Sequence, residues 1–221
     1  VHNSMHHVRA CLASVFACST RPFHLYVVDD KSDRYTKEAL KELLAQYDPT
    51  SYTLIENKEN LGYLRSINRG IEQGANPYVI CLNSDTLVTA GHLERLQRAF
   101  ESDQSIAVVT AVSNWANWTR ICWSIPEGYN VASFAEKVAR VSSGKLPDIN
   151  NASGFYFAVR RSVFAERGLF DEAYGFGYWE EADFCMRVLD ARYRVVVDDG
   201  LFIYHHGWGS FQEGGRNENM E

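Results

Sequence analysis

Four groups of residues in this chain have types and spacings that could do chemistry. They are Asp29-Asp30-Lys31-Ser32-Asp33, Asn83-Ser84-Asp85-Thr86, Trp179-Glu180-Glu181-Ala182-Asp183 and His205-His206-Gly207. The first two each follow a short apolar run, Val27-Val28 and Ile80-Cys81-Leu82. In an open α/β sheet, ligands bind beyond the carboxyl ends of the strands. Either group alone would also serve as a turn or a helix cap, but two at one sheet edge predict a polar ligand site. The third group places three carboxylates at a helix start, where acids complement the helix dipole. The fourth is a histidine pair leaving a strand end. Beside a carboxylate, one imidazole has the right atoms for a divalent ion, although a histidine in such a place also serves structure alone.

Positioning these groups requires alternating elements. Val8, Leu12, Val15 and Phe16 share one helical face, and Phe23 to Val28 reads as a strand. Ala39 to Tyr47, Leu61 to Ile71 and Leu93 to Phe100 give further amphipathic helices. Tyr52 to Ile55, Tyr78 to Leu82 and Ile106 to Thr110 give strands between and after them. This rhythm predicts an α/β fold with a mostly parallel sheet covered on both faces. It breaks at residues 111–150, which hold Trp115, Trp118 and Trp123, a Pro126-Glu127-Gly128 turn and one helix around Phe134 to Val141. A strand over Phe155 to Val159, a short helix and a helix opening near Glu180 follow. Two apolar runs, Val195 to Val197 and Leu201 to Tyr204, are separated by what reads as a turn at Asp198-Asp199-Gly200. The polar, glycine-rich residues 214–221 predict a mobile tail. No repeat or composition shift marks a linker, so residues 1–221 read as one domain.

Composition narrows the function classes. The chain has 221 residues, 46% hydrophobic and 23% charged, which excludes a disordered or collagen-like chain. Its net charge of −6 gives it no electrostatic reason to hold nucleic acid. No apolar run is long enough to span a bilayer. Five widely spaced cysteines without a CxxC predict reduced thiols and a cytoplasmic setting. The sequons at Asn117 and Asn151 are read as chance matches. The abrupt start at Val1-His2-Asn3 reads as a piece of a longer polypeptide, whose other parts could bring the domain to the inner face of a membrane.

In this order, the features resemble family 2 glycosyltransferases of the GT-A fold, including those that build bacterial cell-surface polysaccharides and rhamnosyltransferase-like enzymes. Val1-His2-Asn3 resembles the end of that family's first strand. Asp29 to Asp33 resembles its D-D-x-S-x-D turn, and Asn60-x-Gly62 with Asn68-x-Gly70 its N-x-G…N-x-G helix start. Asn83-Ser84-Asp85 resembles the metal-binding D-x-D in an N-x-D form. Gly154 to Arg161 followed by Gly168-Leu169-Phe170-Asp171-Glu172 resembles the family's G…R-R…G-x-F-D-E stretch. Trp179 to Asp183 resembles the acceptor motif E-D-x-D, and His205-His206-Gly207 the closing histidine.

The resemblance implies an inverting hexosyl- or deoxyhexosyltransferase with a nucleotide-diphosphate sugar donor and a glycan, glycolipid or glycoprotein acceptor. It implies Mn²⁺ or Mg²⁺ held by Asp85 and by His205 or His206, neutralising the donor pyrophosphate. Asp29, Asp30, Asn60, Gly62, Arg65, Asn83 and Ser84 would bind the nucleotide sugar, although Arg65 reads equally as a solvated helix residue. Glu181 stands at the general-base position, where Asp is more usual. Glu180 and Asp183 beside it would raise its pKa if all three are close. Trp179 falls in the acceptor motif, and Trp115, Trp118 and Trp123 offer rings on which an acceptor sugar would stack, although core packing is the commoner use of tryptophan. The resemblance also implies that the first strand is missing. Two readings compete: a pyrophosphorylase-like nucleotidyltransferase, which needs a G-x-G-x-R loop not present here, and a binding module without turnover, against which Asp85, Glu181 and His205 argue. A glycosidase would not need the strand-end acids.

Overall fold

The structure, a computed structural model, describes residues 1–175 and 179–207. Helix α1 (Met5–Cys18) precedes β1 (Leu25–Asp29), α2 (Arg34–Leu44), β2 (Tyr52–Glu56), α3 (Gly62–Gln73) and β3 (Tyr78–Leu82). A two-residue strand β4 (Thr86–Leu87), α4 (His92–Ser102) and β5 (Ile106–Val112) follow. The second half holds α5 (Val131–Val141), β6 (Tyr156–Arg160), α6 (Arg161–Arg167), α7 (Glu180–Asp190), β7 (Arg194–Phe202) and β8 (Tyr204–His205). The expected tail at 214–221 lies outside the described residues.

The alternation delivers an α/β fold, but strand directions are mixed. β1 and β2 pair in parallel. The larger ladder runs β3-β6-β5-β7, with β6 antiparallel to both neighbours and β5 parallel to β7. Strand alternation with helices predicts parallel pairs, whereas β6 arrives through the irregular 111–150 segment and inserts in the opposite direction. All seven residues of β5 are buried, as a run of Ile, Ala, Val and Thr between two strands and two helical layers must be.

The predicted turn at Asp198-Asp199-Gly200 is not a turn. β7 runs through it with a register shift between Ala111 and Val112 of β5. Asp198, 3% exposed, accepts from Arg95 Nε at 2.8 Å and from the Gly200 N–H at 3.0 Å. The guanidinium neutralises the carboxylate, so turn-forming residues can stay in a buried, bulged strand.

Local chemistry fixes the helix starts. Asp33 caps α2, accepting from Thr36 N at 2.7 Å. Asn130 and Ser133 form a reciprocal capping box on α5. α3 has no capping side chain of its own at Leu61, and its open N–H groups are satisfied from the end of β1.

Among the described residues, β1 is hydrogen-bonded in a ladder only to β2, and β3 only to β6. A cavity of about 730 Å³ is bordered by both strands, by Val8, Leu12 and Val15 of α1, and by Ile67 and Ile71 of α3. Val1 stands at its rim in a parallel bridge with β1. The Val1 ammonium donates to Val28 O and the Asp30 N–H donates to Val1 O, both at 2.7 Å.

Candidate active site

The same cavity opens at the carboxyl ends of the strands on Asp30, Asn60, Gly62, Asn83, Ser84, Asp85, Trp115, Trp118, Gly154, Glu180, Glu181 and His205. Four stretches far apart in sequence therefore converge on one place.

Asp30 is 5% exposed and its oxygens are already engaged. Oδ1 accepts from Leu61 N at 2.7 Å and from Asn57 Nδ2 at 2.9 Å, and Oδ2 accepts from Gly62 N at 2.8 Å. The carboxylate thus caps α3 from a neighbouring strand, and Gly62, with φ of 78°, takes the left-handed turn that aims its N–H there. Asn60 Oδ1 shares that N–H at 3.0 Å. Asp29, 1% exposed, closes its own turn by accepting from Ser32 N at 3.2 Å, with Lys37 Nζ 3.8 Å away. Asn57, buried beside Asp30 and Ser66, was not singled out from sequence, because an Asn after a strand carries no signal beyond that of a turn. Arg65 points away from the cavity and pairs with Glu172 at 3.2 Å, both more than half exposed or nearly so. It matches the solvated-helix alternative.

Asp85 and His205 meet across the β4–β8 pair: Nε2 lies 3.3 Å from Asp85 Oδ1, with side chains 12% and 10% exposed. His205 Nδ1 donates to Trp115 O at 2.8 Å, and the ring stacks on Phe155 with centroids 5.4 Å apart. A carbonyl can only accept, so Nδ1 carries a hydrogen, and Nε2 faces the carboxylate. His206 donates its N–H to Asp85 O at 2.9 Å, but its ring is exposed and lies against His7, 4.5 Å away. Neighbouring strand residues face opposite sides, and it is His205 that faces the cavity. Asn83 N donates to Phe155 O at 3.1 Å, and its carbonyl accepts from Thr86 N and Oγ1, shaping the turn that presents Ser84 and Asp85.

Among the described residues, no cluster of three or more His, Cys, Asp or Glu could hold a metal alone. One carboxylate and one imidazole at 3.3 Å fit a divalent ion whose remaining positions are filled by phosphate and water.

At the start of α7, Glu180 is buried and Glu181 points into the cavity. A Cβ added at Gly154 would collide with Glu181 Oε1, so the glycine is what lets this carboxyl approach the backbone. Burial first, and then the neighbouring Glu180, push Glu181 up from 4.5 to about 8. Asp183 plays no part in this. It is tied to Arg187 at 2.8 Å, and that guanidinium also donates to Leu169 O at 2.9 Å. The expected like-charge contact therefore comes from Glu180 alone. Tyr63, which sequence did not point to, also lines the cavity, and burial with Glu181 and Glu180 nearby pushes its phenol well above its usual value.

Trp115 packs against Gly207 and borders the cavity with Trp118, which is 73% exposed. Trp179, 68% exposed, does not border it. Trp123 instead carries the Arg120 guanidinium 3.4 Å over its ring.

Known proteins share both sequence and fold with this chain. It is 24% identical over 170 residues to the poly-beta-1,6-N-acetyl-D-glucosamine synthase of Staphylococcus aureus (strain COL), covering 77% of this chain and 40% of that protein. Its fold matches the mannosyltransferase PcManGT from Pyrobaculum calidifontis, solved with GDP-Man and Mn²⁺, with a TM-score of 0.69 and 17% identity over 93% of this chain and 54% of that one. It also matches S. aureus TarS in complex with UDP-GlcNAc, with a TM-score of 0.64 and 15% identity over 92% and 56%. The chain spans about 40% of the length of the synthase it matches. The glycosyl transferase family 2 pattern matches residues 1–168, and with that match over most of its length the chain belongs to glycosyl transferase family 2.

Proposed function

We propose that this domain transfers a sugar from a nucleoside-diphosphate sugar to an acceptor hydroxyl by a metal-assisted single displacement that inverts the anomeric centre. The observation that carries the reading is the convergence, on one cavity, of a metal-type pair and a high-pKa carboxyl. Asp85 and His205 lie on one side, and Glu181 on another.

Asp85 Oδ1 and His205 Nε2 would hold the cation, with Nε2 kept available because Nδ1 donates to Trp115 O. A bound Mn²⁺ or Mg²⁺ would neutralise the diphosphate as it leaves. Solved relatives carry Mn²⁺ with GDP-Man or with UDP and GalNAc, which supports a divalent ion here without choosing the nucleotide. Glu181 would take the proton of the attacking hydroxyl, and a pKa near 8 makes its carboxylate a competent acceptor of that proton. Asp30 acts through α3: by capping Leu61 and Gly62 it fixes the helix start beside which the nucleotide would lie. Asn60, Asn83 and Ser84 border the same space. Trp115 and Trp118 offer rings on which an acceptor sugar could stack.

The setting proposed is a polysaccharide or glycoconjugate pathway on the cytoplasmic side of a membrane. The five free thiols support a reducing compartment, and no described helix is long and apolar enough to cross a membrane.

The test is a thermal-shift panel of UDP, GDP and their sugars, each with and without Mn²⁺. Ligand at about 100 times its Kd stabilises by about 2.7 kcal/mol, a rise of several degrees at this size. A Mn²⁺-dependent rise with one nucleotide family is the expected result. No rise with any of them, for this chain and for one extended at its N-terminus, would contradict the reading.

A further inference from the structure

Nothing in the reaction just described uses Asn114, yet it is 4% exposed and sits against a candidate metal ligand. Its Nδ2 donates to His205 O at 2.9 Å, and its Oδ1 accepts from His205 N at 2.9 Å. Ser113 Oγ adds a longer contact to the same Oδ1 at 3.5 Å. One side-chain amide thus holds both backbone polar groups of His205, as a neighbouring strand would. The next residue, Trp115, accepts from Nδ1 of the same histidine through its carbonyl at 2.8 Å.

The segment bearing these groups is itself closed. Ser113 N donates to Thr119 O at 3.0 Å, and Ile121 N donates to Ser113 O at 2.9 Å. Displacing the His205 backbone would leave Asn114 Nδ2 unpaired and its Oδ1 with only the longer Ser113 contact, at the cost that unpaired buried polar groups carry.

We propose that Asn114 is a positioning residue: its side-chain amide clamps the backbone of His205, so that Trp115 O can fix the ring and hold Nε2 toward Asp85. The inference rests on the metal-site reading above. It also links the tryptophan-bearing segment to the cation, since the residues that would meet the acceptor and those that aim the ligand are neighbours in one loop. Groups that hold a ligating histidine through its other ring nitrogen, as the Trp115 carbonyl does here, typically change metal affinity 10- to 100-fold, and Asn114 sets the backbone on which that contact depends.

The experiment is a Mn²⁺ titration followed by electron paramagnetic resonance, with Mn²⁺ alone and with saturating UDP or GDP. Wild type is compared with Asn114→Ala, Asn114→Asp, His205→Ala and the Asn114→Ala/His205→Ala double variant. Asn114→Asp keeps the acceptor for His205 N and loses the donor to His205 O, so it tests the clamp even if the alanine variant folds poorly. The expected result is a Mn²⁺ Kd about tenfold or more weaker for either Asn114 variant, with less than about twofold added by Asn114→Ala once His205 is gone. If His205→Ala weakens Mn²⁺ and the Asn114 variants shift only the melting temperature, the clamp is purely structural and the proposal is overturned. If His205→Ala leaves Mn²⁺ binding unchanged, the metal-site reading fails and takes the proposal with it.

Discussion

The turn after β1 and the start of α7 both bury carboxylates at the rim of one cavity, and they do opposite things with them. Asp30 is surrounded by donors: two backbone N–H groups and the Asn57 amide point at its oxygens. Glu181 is surrounded by apolar burial and a second carboxylate, and is pushed up to about 8. The first arrangement stabilises a charge and uses it as a structural cap. The second makes ionisation costly and leaves a group able to accept and hold a proton near neutral pH. Acids of both regions looked alike as sequence, and their surroundings separate the cap from the proposed base.

The sharpest way to break this contrast is to remove the Glu181 charge while keeping its shape. Glu181→Gln should lower turnover by about 10²- to 10⁴-fold while raising stability. Between pH 4.5 and about 8 the folded protein keeps a proton that the unfolded chain has released, so stability falls as pH rises across that window and levels off above it. Gln carries no such slope. The melting temperature of the variant should match wild type near pH 4.5 and exceed it by a margin that grows as pH rises toward about 8. Equal melting temperatures throughout would show that Glu181 is not destabilised by its surroundings.

Asp30→Ala should act in the reverse sense. It strips the cap from α3 and removes one of the two acceptors of the Asn57 amide, which keeps Ser66 Oγ, so a loss of about 1 to 3 kcal/mol is expected from denaturant unfolding. An unchanged midpoint would mean that Asp30 is not the cap. Gly154→Ala displaces Glu181 from its place against the backbone and should cost activity about tenfold or more, with Mn²⁺ and nucleotide affinity preserved. Weakened affinity would show that the β6 side of the cavity serves the donor instead. Smallest of all, Arg65→Ala breaks only an exposed pair with Glu172, and stability should change by less than about 0.5 kcal/mol. A large loss in nucleotide affinity would return Arg65 to the donor site.

Much of the fold could be read from the chain because its helices are amphipathic and its strands are short apolar runs ending in acids. What periodicity could not supply was pairing between distant segments. The two-residue strands β4 and β8 exist only because Thr86 and Leu87 meet His205 and Tyr204. The bulge in β7 survives only because Arg95 reaches Asp198 from another element. For the site, residue types pointed to Asp85, Glu181 and His205, which the structure brings to one cavity, and the resemblance suggested the roles proposed for them. Asn57 and Asn114 were illegible, since a lone Asn in a loop looks like turn chemistry until its partners are seen. Asp183 was misleading for the opposite reason: one turn of helix turns it toward Arg187 and away from its acidic neighbours.

The most direct test of the central claim is the pH dependence of Mn²⁺-supported cleavage of a UDP- or GDP-sugar panel by wild type and Glu181→Gln, with nucleotide affinity measured alongside. The account predicts that kcat/KM for wild type rises with pH toward a limb near 8, and that Glu181→Gln is slowed at least about 100-fold while binding Mn²⁺ and nucleotide as wild type does. A Glu181→Gln protein that turns over at the wild-type rate would contradict it.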